Sequence, residues 1–195
     1  MTKKILMIAG PNGAGKTTLT LDLIARGSVL YEFINADEIA KGLAPQNPES
    51  VALAASKLMI NRLKELLRNK KSFAFETTGA GKNYLNHLKI AKSKGYEILL
   101  VFLWLDGPGQ AIKRVAQRVK QGGHYIPDDV ITRRYYAGLT NLFAHYLPLA
   151  DIAIIIDNSL ENSAHNLVAR KVHDDVIEII NRDLWDKINE AAYAR

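Results

Sequence analysis

Gly10, Pro11, Asn12, Gly13, Ala14, Gly15, Lys16, Thr17 and Thr18 match the spacing G-x-x-x-x-G-K-[ST] of a phosphate-binding loop. The chemistry such a loop offers is capture of a nucleoside triphosphate. The glycines let the backbone turn tightly and aim its N–H groups inward, at the positive end of the following helix, where phosphates can lie. Lys16 is expected to stand as an exposed point charge reaching the β- and γ-phosphates, and Thr17 to ligate Mg²⁺. The loop by itself implies only a bound triphosphate, which transporters, motors, switches and kinases share.

Other residues must choose among these. Phosphoryl transfer to a hydroxyl needs a carboxylate to take its proton, cations around the γ-phosphate and a cover against water. Asp37 is the candidate base, and it also reads as the N-cap of a short helix, DEIAKGL. Glu76 follows Phe-Ala-Phe and is costly there unless it meets a metal, a donor or substrate. Asp106 ends a long apolar run and could pass for a second magnesium acid, although it equally suits a helix-entry turn. The arginine candidates are Arg114, Arg118, Arg133 and Arg134, of which Arg118 and Arg134 lead. His124 beside two glycines is a further candidate substrate contact, without a second ligand at metal-binding spacing.

The elements that would position these residues alternate. Strands are expected at Lys3 to Ala9, Leu30 to Ala36, Ser72 to Glu76, Tyr96 to Asp106 and Asp151 to Asp157. Helices are expected at Lys16 to Arg26, from Asp37, at Glu49 to Asn69, Lys82 to Lys94 and Gln110 to Gln121, and again from Pro127. Such alternation predicts an α/β three-layer sandwich around a five-stranded parallel sheet. Ligands bind such sheets outside the strands' carboxyl ends, where the loop, Asp37, Glu76 and Asp106 all fall. The segment from about 118 to 140, with Gly122 and Gly123 as hinge, reads as a helical lid. Leu167 to Lys171 and Val176 to Ile180 suit a hairpin about His173-Asp174-Asp175, with one helix over 166–181 as the competing reading. Asp183 to Tyr193 closes the chain as a helix.

The 195 residues, 48% hydrophobic, suit one domain over 1–195. The absence of cysteine and of any long apolar run points to a cytoplasmic protein with no membrane partner. A formal charge of +6 favours anionic partners. Because the basic residues are scattered and few aromatics interleave them, the reading favours a phosphate-rich small molecule over nucleic acid.

With these residues laid out, the chain resembles the zeta-toxin-like family of P-loop kinases. GPNGAGKTT (10–18), INADEIA (34–40), FAFETT (73–78) and RVAQRVKQGGHYIP (114–127), leading into Arg133-Arg134-Tyr135, carry the likeness. The resemblance implies a shikimate-kinase-like core of strand order 2-3-1-4-5, with ATP and Mg²⁺ served by Lys16 and Thr17. It makes Asp37 the general base, Glu76 and Thr78 substrate contacts, and the arginines near 118 and 133–134 phosphate contacts. Arg114 is assigned to the nucleotide. The founding toxins use ATP to phosphorylate the sugar 3′-hydroxyl of UDP-N-acetylglucosamine. This chain has Lys41-Gly-Leu-Ala-Pro45 where toxins carry a His-Pro pair, and Ala80 where they carry an arginine.

The function expected is therefore an ATP-dependent kinase acting on a hydroxyl of an unidentified anionic small molecule. The alternatives are a nucleotide-dependent regulatory NTPase without an acceptor, and a toxin neutralised by a protein antitoxin.

Overall fold

The structure is a computed structural model and describes residues 2–27, 32–160, 166–172 and 176–193. The expected positions Leu30 and Tyr31 of the second strand, and the hairpin turn His173-Asp174-Asp175, lie outside the described residues.

Five parallel strands form the frame: β1 (Lys3–Ala9), β2 (Glu32–Ile34), β3 (Phe73–Thr77), β4 (Tyr96–Trp104) and β5 (Ile152–Asp157). The sheet does not stop there. β6 (Asn166–Val172) and β7 (Ile177–Ile179) add antiparallel to the β5 edge, giving the order β2-β3-β1-β4-β5-β6-β7. The expected hairpin therefore extends the sheet from five strands to seven, and the competing helix over 166–181 does not form. Extension is favoured because β5 would otherwise leave a row of unpaired backbone groups at an edge.

The helices are α1 (Lys16–Ala25), α2 (Ala36–Leu43), α3 (Ala52–Arg68, entered through a 3-10 turn over Pro48–Val51), α4 (Leu85–Ser93), α5 (Pro108–Lys120) and α6 (Asp128–Asn141). A π-helical turn over Leu142–Tyr146 leads into α7 (Leu147–Leu149), and α8 (Arg182–Tyr193) follows the hairpin. Among the described residues no helix is long and apolar enough to cross a membrane.

Both faces of the central strands are apolar, as parallel strands covered on both sides must be. Ile5, Met7, Phe73, Phe75, Leu100 and Phe102 pack against α3, α4 and α8. Leu6, Ile8, Leu103 and Leu105 pack on the other face against α1 and α5. α6 belongs to both sides: Ile131 joins the α5 cluster, whereas Tyr135 and Leu139 join the α3 cluster. It therefore passes across the end of the sheet. Register decides which end. Ile8 pairs with Glu76, Ala9 with Thr77 and with Phe102, and Ile34 with Phe75, so the carboxyl ends of β1, β2, β3 and β4 lie together under α6.

Candidate active site

The loop after β1 has the backbone its sequence requires. Gly10 has φ 143°, and a Cβ there would stand 2.2 Å from the Leu103 carbonyl oxygen of β4, so only glycine fits. Lys16 is not the exposed charge expected. Its Nζ donates to the Gly10 and Pro11 carbonyls, each at 2.9 Å, and the side chain is half-buried. Burial pushes its pKa down to about 8, against the pull of Glu76 and Asp37 and with the added push of Arg118 and Arg134.

Glu76 is the organiser of the site. It is buried at the end of β3 and accepts from Thr17 Oγ1 (2.9 Å) and Asn35 Nδ2 (2.9 Å) at one oxygen and from Thr20 Oγ1 (2.7 Å) at the other. Burial raises its pKa, opposed by the Thr20 hydrogen bond, by Lys16 and by the Thr17 hydrogen bond. Three protein donors hold its carboxylate, one of the ways expected for an acid after Phe-Ala-Phe to be tolerated, and Glu76 also faces the cleft. Thr17 donates its hydroxyl hydrogen to Glu76, so the oxygen lone pairs remain for a cation. A hydroxyl that ligates a metal needs that arrangement, and the residues present fit Mg²⁺.

Asp37 is not the N-cap. Asn35 holds that position, its Oδ1 accepting from the Asp37 N–H at 2.8 Å while its Nδ2 donates to Glu76. Asp37 lies within the first turn of α2, and its carboxylate faces the cleft. Asn35 and Thr20 were not singled out from the sequence. The signal for Asn35 was its place two residues before Asp37, the spacing of a short polar side chain that bonds a nearby backbone N–H.

Two cavities meet here. One, of about 330 Å³, is lined by the phosphate loop with Thr17, Thr18, Arg114, Gln117, Arg118 and Gln121. The other, of about 290 Å³, is lined by Asn35, Ser56, Thr77, Thr78, Asn83, Tyr84 and Arg134 among others. Asn12, Lys16, Asp37 and Glu76 line both.

The arginines divide. Arg118 faces the first cavity, with Nε and Nη2 buried and no acceptor for either among the described residues, and Asn12 Oδ1 is likewise unpartnered. Buried donors without acceptors are costly, and an anion in this cavity would supply one. Arg114 also reaches it, while donating to the Ser159 carbonyl at 3.2 Å. Arg134 faces the second cavity. Arg133 is exposed and lines neither, since neighbouring positions on a helix point about 100° apart and only one of the pair can face the cleft.

Asp106 is not a second magnesium acid. It is half-exposed, pairs with Lys187 at 2.7 Å and lines neither cavity. His124 also stands outside both. Asn158 Nδ2 donates to the Ala14 carbonyl at 2.8 Å, tying the β5 end to the phosphate loop.

Together the parallel sheet, the loop at its carboxyl edge and the cleft define a kinase-like P-loop α/β protein that offers a nucleotide-binding cleft. Residues 5–137 match the family model described as an AAA domain, and the chain belongs to that family. An uncharacterized protein of Haemophilus influenzae is 29% identical over 135 residues, covering 69% of this chain and 94% of that protein. Among solved structures, a chain of the AvrRxo1-ORF1:-ORF2 complex with ATP superposes with a TM-score of 0.74 at 17% identity, and 99% of this chain spans 65% of that one. A chain of the PezAT chromosomal toxin–antitoxin system of Streptococcus pneumoniae gives 0.61 at 14% identity, over 97% of this chain and 86% of that one.

Proposed function

We propose that the protein is an ATP-dependent small-molecule kinase of the zeta-toxin-like kind, with the nucleotide in the cavity at the phosphate loop and a hydroxyl acceptor in the cavity beside it. The observation that carries this reading is the shared wall: Lys16 and Asp37 belong to both cavities, so a γ-phosphate and an acceptor would meet between them. A purely regulatory NTPase needs no second polar cavity at that point. The AvrRxo1-ORF1:-ORF2 complex and the PezAT toxin–antitoxin system each pair two components, which supports a toxin with a protein partner as the second reading. Growth arrest on expression, relieved by a neighbouring gene product, would favour it.

In the proposed reaction the acceptor oxygen bonds to the γ-phosphorus as the bond to the β–γ bridging oxygen breaks. ADP leaves with that electron pair, and Asp37 takes the hydroxyl proton. Mg²⁺, held through Thr17, would neutralise phosphate charge when bound. Lys16 and Arg118 stabilise the transferring group, Arg114 the nucleotide, and Arg134 an anionic group on the acceptor, with Thr78 beside it. The end of α5 and the start of α6, about 118–134, would close over the cleft.

The test is Asp37→Asn, which preserves shape and removes the base. Transfer should fall roughly 10²–10⁴-fold with ATP affinity nearly unchanged. Before the acceptor is known, UDP-sugars, nucleosides, aminoglycosides and sugar phosphates are screened for stimulated ADP release. At least one should stimulate the wild type and not the variant. If none stimulates either protein and both hydrolyse ATP alike, the regulatory reading takes over.

A further inference from the structure

The sheet has a second end, about 20 Å from the phosphate loop, since β1 runs seven residues at about 3.3 Å each. There α3 and α4 border two adjoining grooves of about 370 and 440 Å³ that share Leu67, Arg68 and Lys94. Leu67 floors both, and Ile90, 43% exposed, floors the larger. The rim is cationic: Lys3 and Lys70 on the smaller groove, Lys64 on the larger, Arg68 and Lys94 on both. No described carboxylate lines either groove.

The pleat explains the missing acid. Lys3 pairs with Tyr96 on the α3 and α4 face, its ammonium 5.8 Å from the ring centre, whereas Lys4 and Glu97 pair on the opposite face at 3.0 Å. None of the five rim cations has an ion pair among the described residues; the nearby acids Glu32, Glu65 and Asp151 are engaged by Arg62 and Lys92. Helix ends account for only part of this charge. α3 ends at Arg68 and α4 at Ser93, and two helix C-termini carry together about one negative elementary charge, against five positive ones.

We propose that these grooves dock an acidic, amphipathic segment of a partner protein, its carboxylates on the cationic rim and an apolar side chain over Leu67 and Ile90. Asn61, Lys64 and Arg68 form one stripe of α3 spanning about 10 Å, which matches roughly two turns of a docked helix. Single-stranded nucleic acid would share the charge requirement but wants exposed aromatic platforms for its bases. The one Phe, Tyr or Trp lining the grooves is Tyr96, and it is 4% exposed. The inference stands apart from the kinase reading, because the grooves lie at the end of the sheet away from the cleft.

Fluorescence anisotropy on the full chain tests it with three labelled probes: a helical peptide with Glu on one face and Leu on the other, a polyglutamate of equal charge, and a single-stranded DNA oligonucleotide. The amphipathic peptide should bind about fivefold or more tightly than polyglutamate and weaken with salt. Lys64→Gln/Arg68→Gln/Lys94→Gln should weaken it about tenfold, while ATP affinity at the phosphate loop stays unchanged and reports an intact fold. Should the triple variant lose ATP binding, Lys94→Gln and Ile90→Ser separately must each weaken the peptide. No peptide binding, equal binding of polyglutamate, indifference to these substitutions, or tighter binding of the oligonucleotide would overturn the proposal. Failure to find a phosphoryl acceptor would leave it untouched.

Discussion

The Lys16 side chain is half-buried, and its ammonium is held by the Gly10 and Pro11 carbonyls of its own loop. A lysine held to about pH 8 by burial is charged at neutral pH, yet it titrates well below its unfolded value of 10.5. Between those two values the unfolded chain binds more protons, so this group's contribution to stability rises with pH there, and below about 8 its penalty is full. A triphosphate favours the charged form and raises the pKa again. As far as Lys16 sets it, ATP affinity should therefore be flat below about pH 8 and fall above it, by up to about tenfold per unit. Calorimetry in two buffers of different ionisation heat should show nearly one proton taken up on binding at pH 9 and little at pH 7, with the uptake absent in Lys16→Met. Uptake that persists in the variant would move the effect to another group. The phosphate loop was legible because its chemistry is set by local spacing. The three-donor cradle of Glu76 was not, because Thr20 and Asn35 reach it only once β2 and β3 pair.

At the scale of an element, the run from α5 to the π-helical turn decides how much of the expected lid can move. Helical periodicity made α5 and α6 visible but not their anchorage. The Tyr135 hydroxyl donates to the Leu105 carbonyl just after β4, while Asn141 donates to the Gly79 and Ala80 carbonyls and Tyr146 to the Gly81 carbonyl of the β3–α4 loop, which fastens the later half of α6 and the π-helical turn to the segments that follow β3 and β4. On the proposed reading, closure would be confined to the part before Tyr135. Two glycines in it act differently. Gly122 has φ 89° with open space around it, so Gly122→Ala costs about 1 kcal/mol of backbone strain and touches nothing. A Cβ on Gly123 would stand 2.7 Å from Arg118 Cγ and 2.9 Å from its carbonyl oxygen. Gly123→Ala must therefore shift Arg118. We expect it to lower kcat by about tenfold or more at little change in ATP affinity, while Gly122→Ala lowers Tm and leaves kcat alone. Equal kcat in the two variants would remove Arg118 from the transferring phosphate.

For the whole molecule, the alternation of elements was enough to predict the parallel core, and the alternating polarity of 167–171 enough to suggest a hairpin. Its partner could not be read, because strand pairing depends on which edge is free and not on the pairing residues alone. That edge makes the C-terminal elements part of the core on the α3 and α4 face of the sheet. Val168, Ile188 and Ala192 belong to one apolar cluster with Met7, Phe75 and Trp104, Phe143 meets Trp185 edge-on at 5.3 Å, and Lys187 lies 5.8 Å over the Trp104 ring. A shared core of this kind should melt as one unit, so the chain is expected to unfold in a single transition. Its two tryptophans make this testable, one buried in β4 and one on α8. Trp104→Phe leaves only the reporter on α8, and Trp185→Phe leaves only the reporter in the central sheet. In each variant, urea unfolding followed by fluorescence and by circular dichroism should give coincident midpoints. If the α8 reporter melts first while circular dichroism holds, the hairpin and α8 form a separate unit docked on the sheet, and the tie from Asn158 to the phosphate loop marks the border between the two.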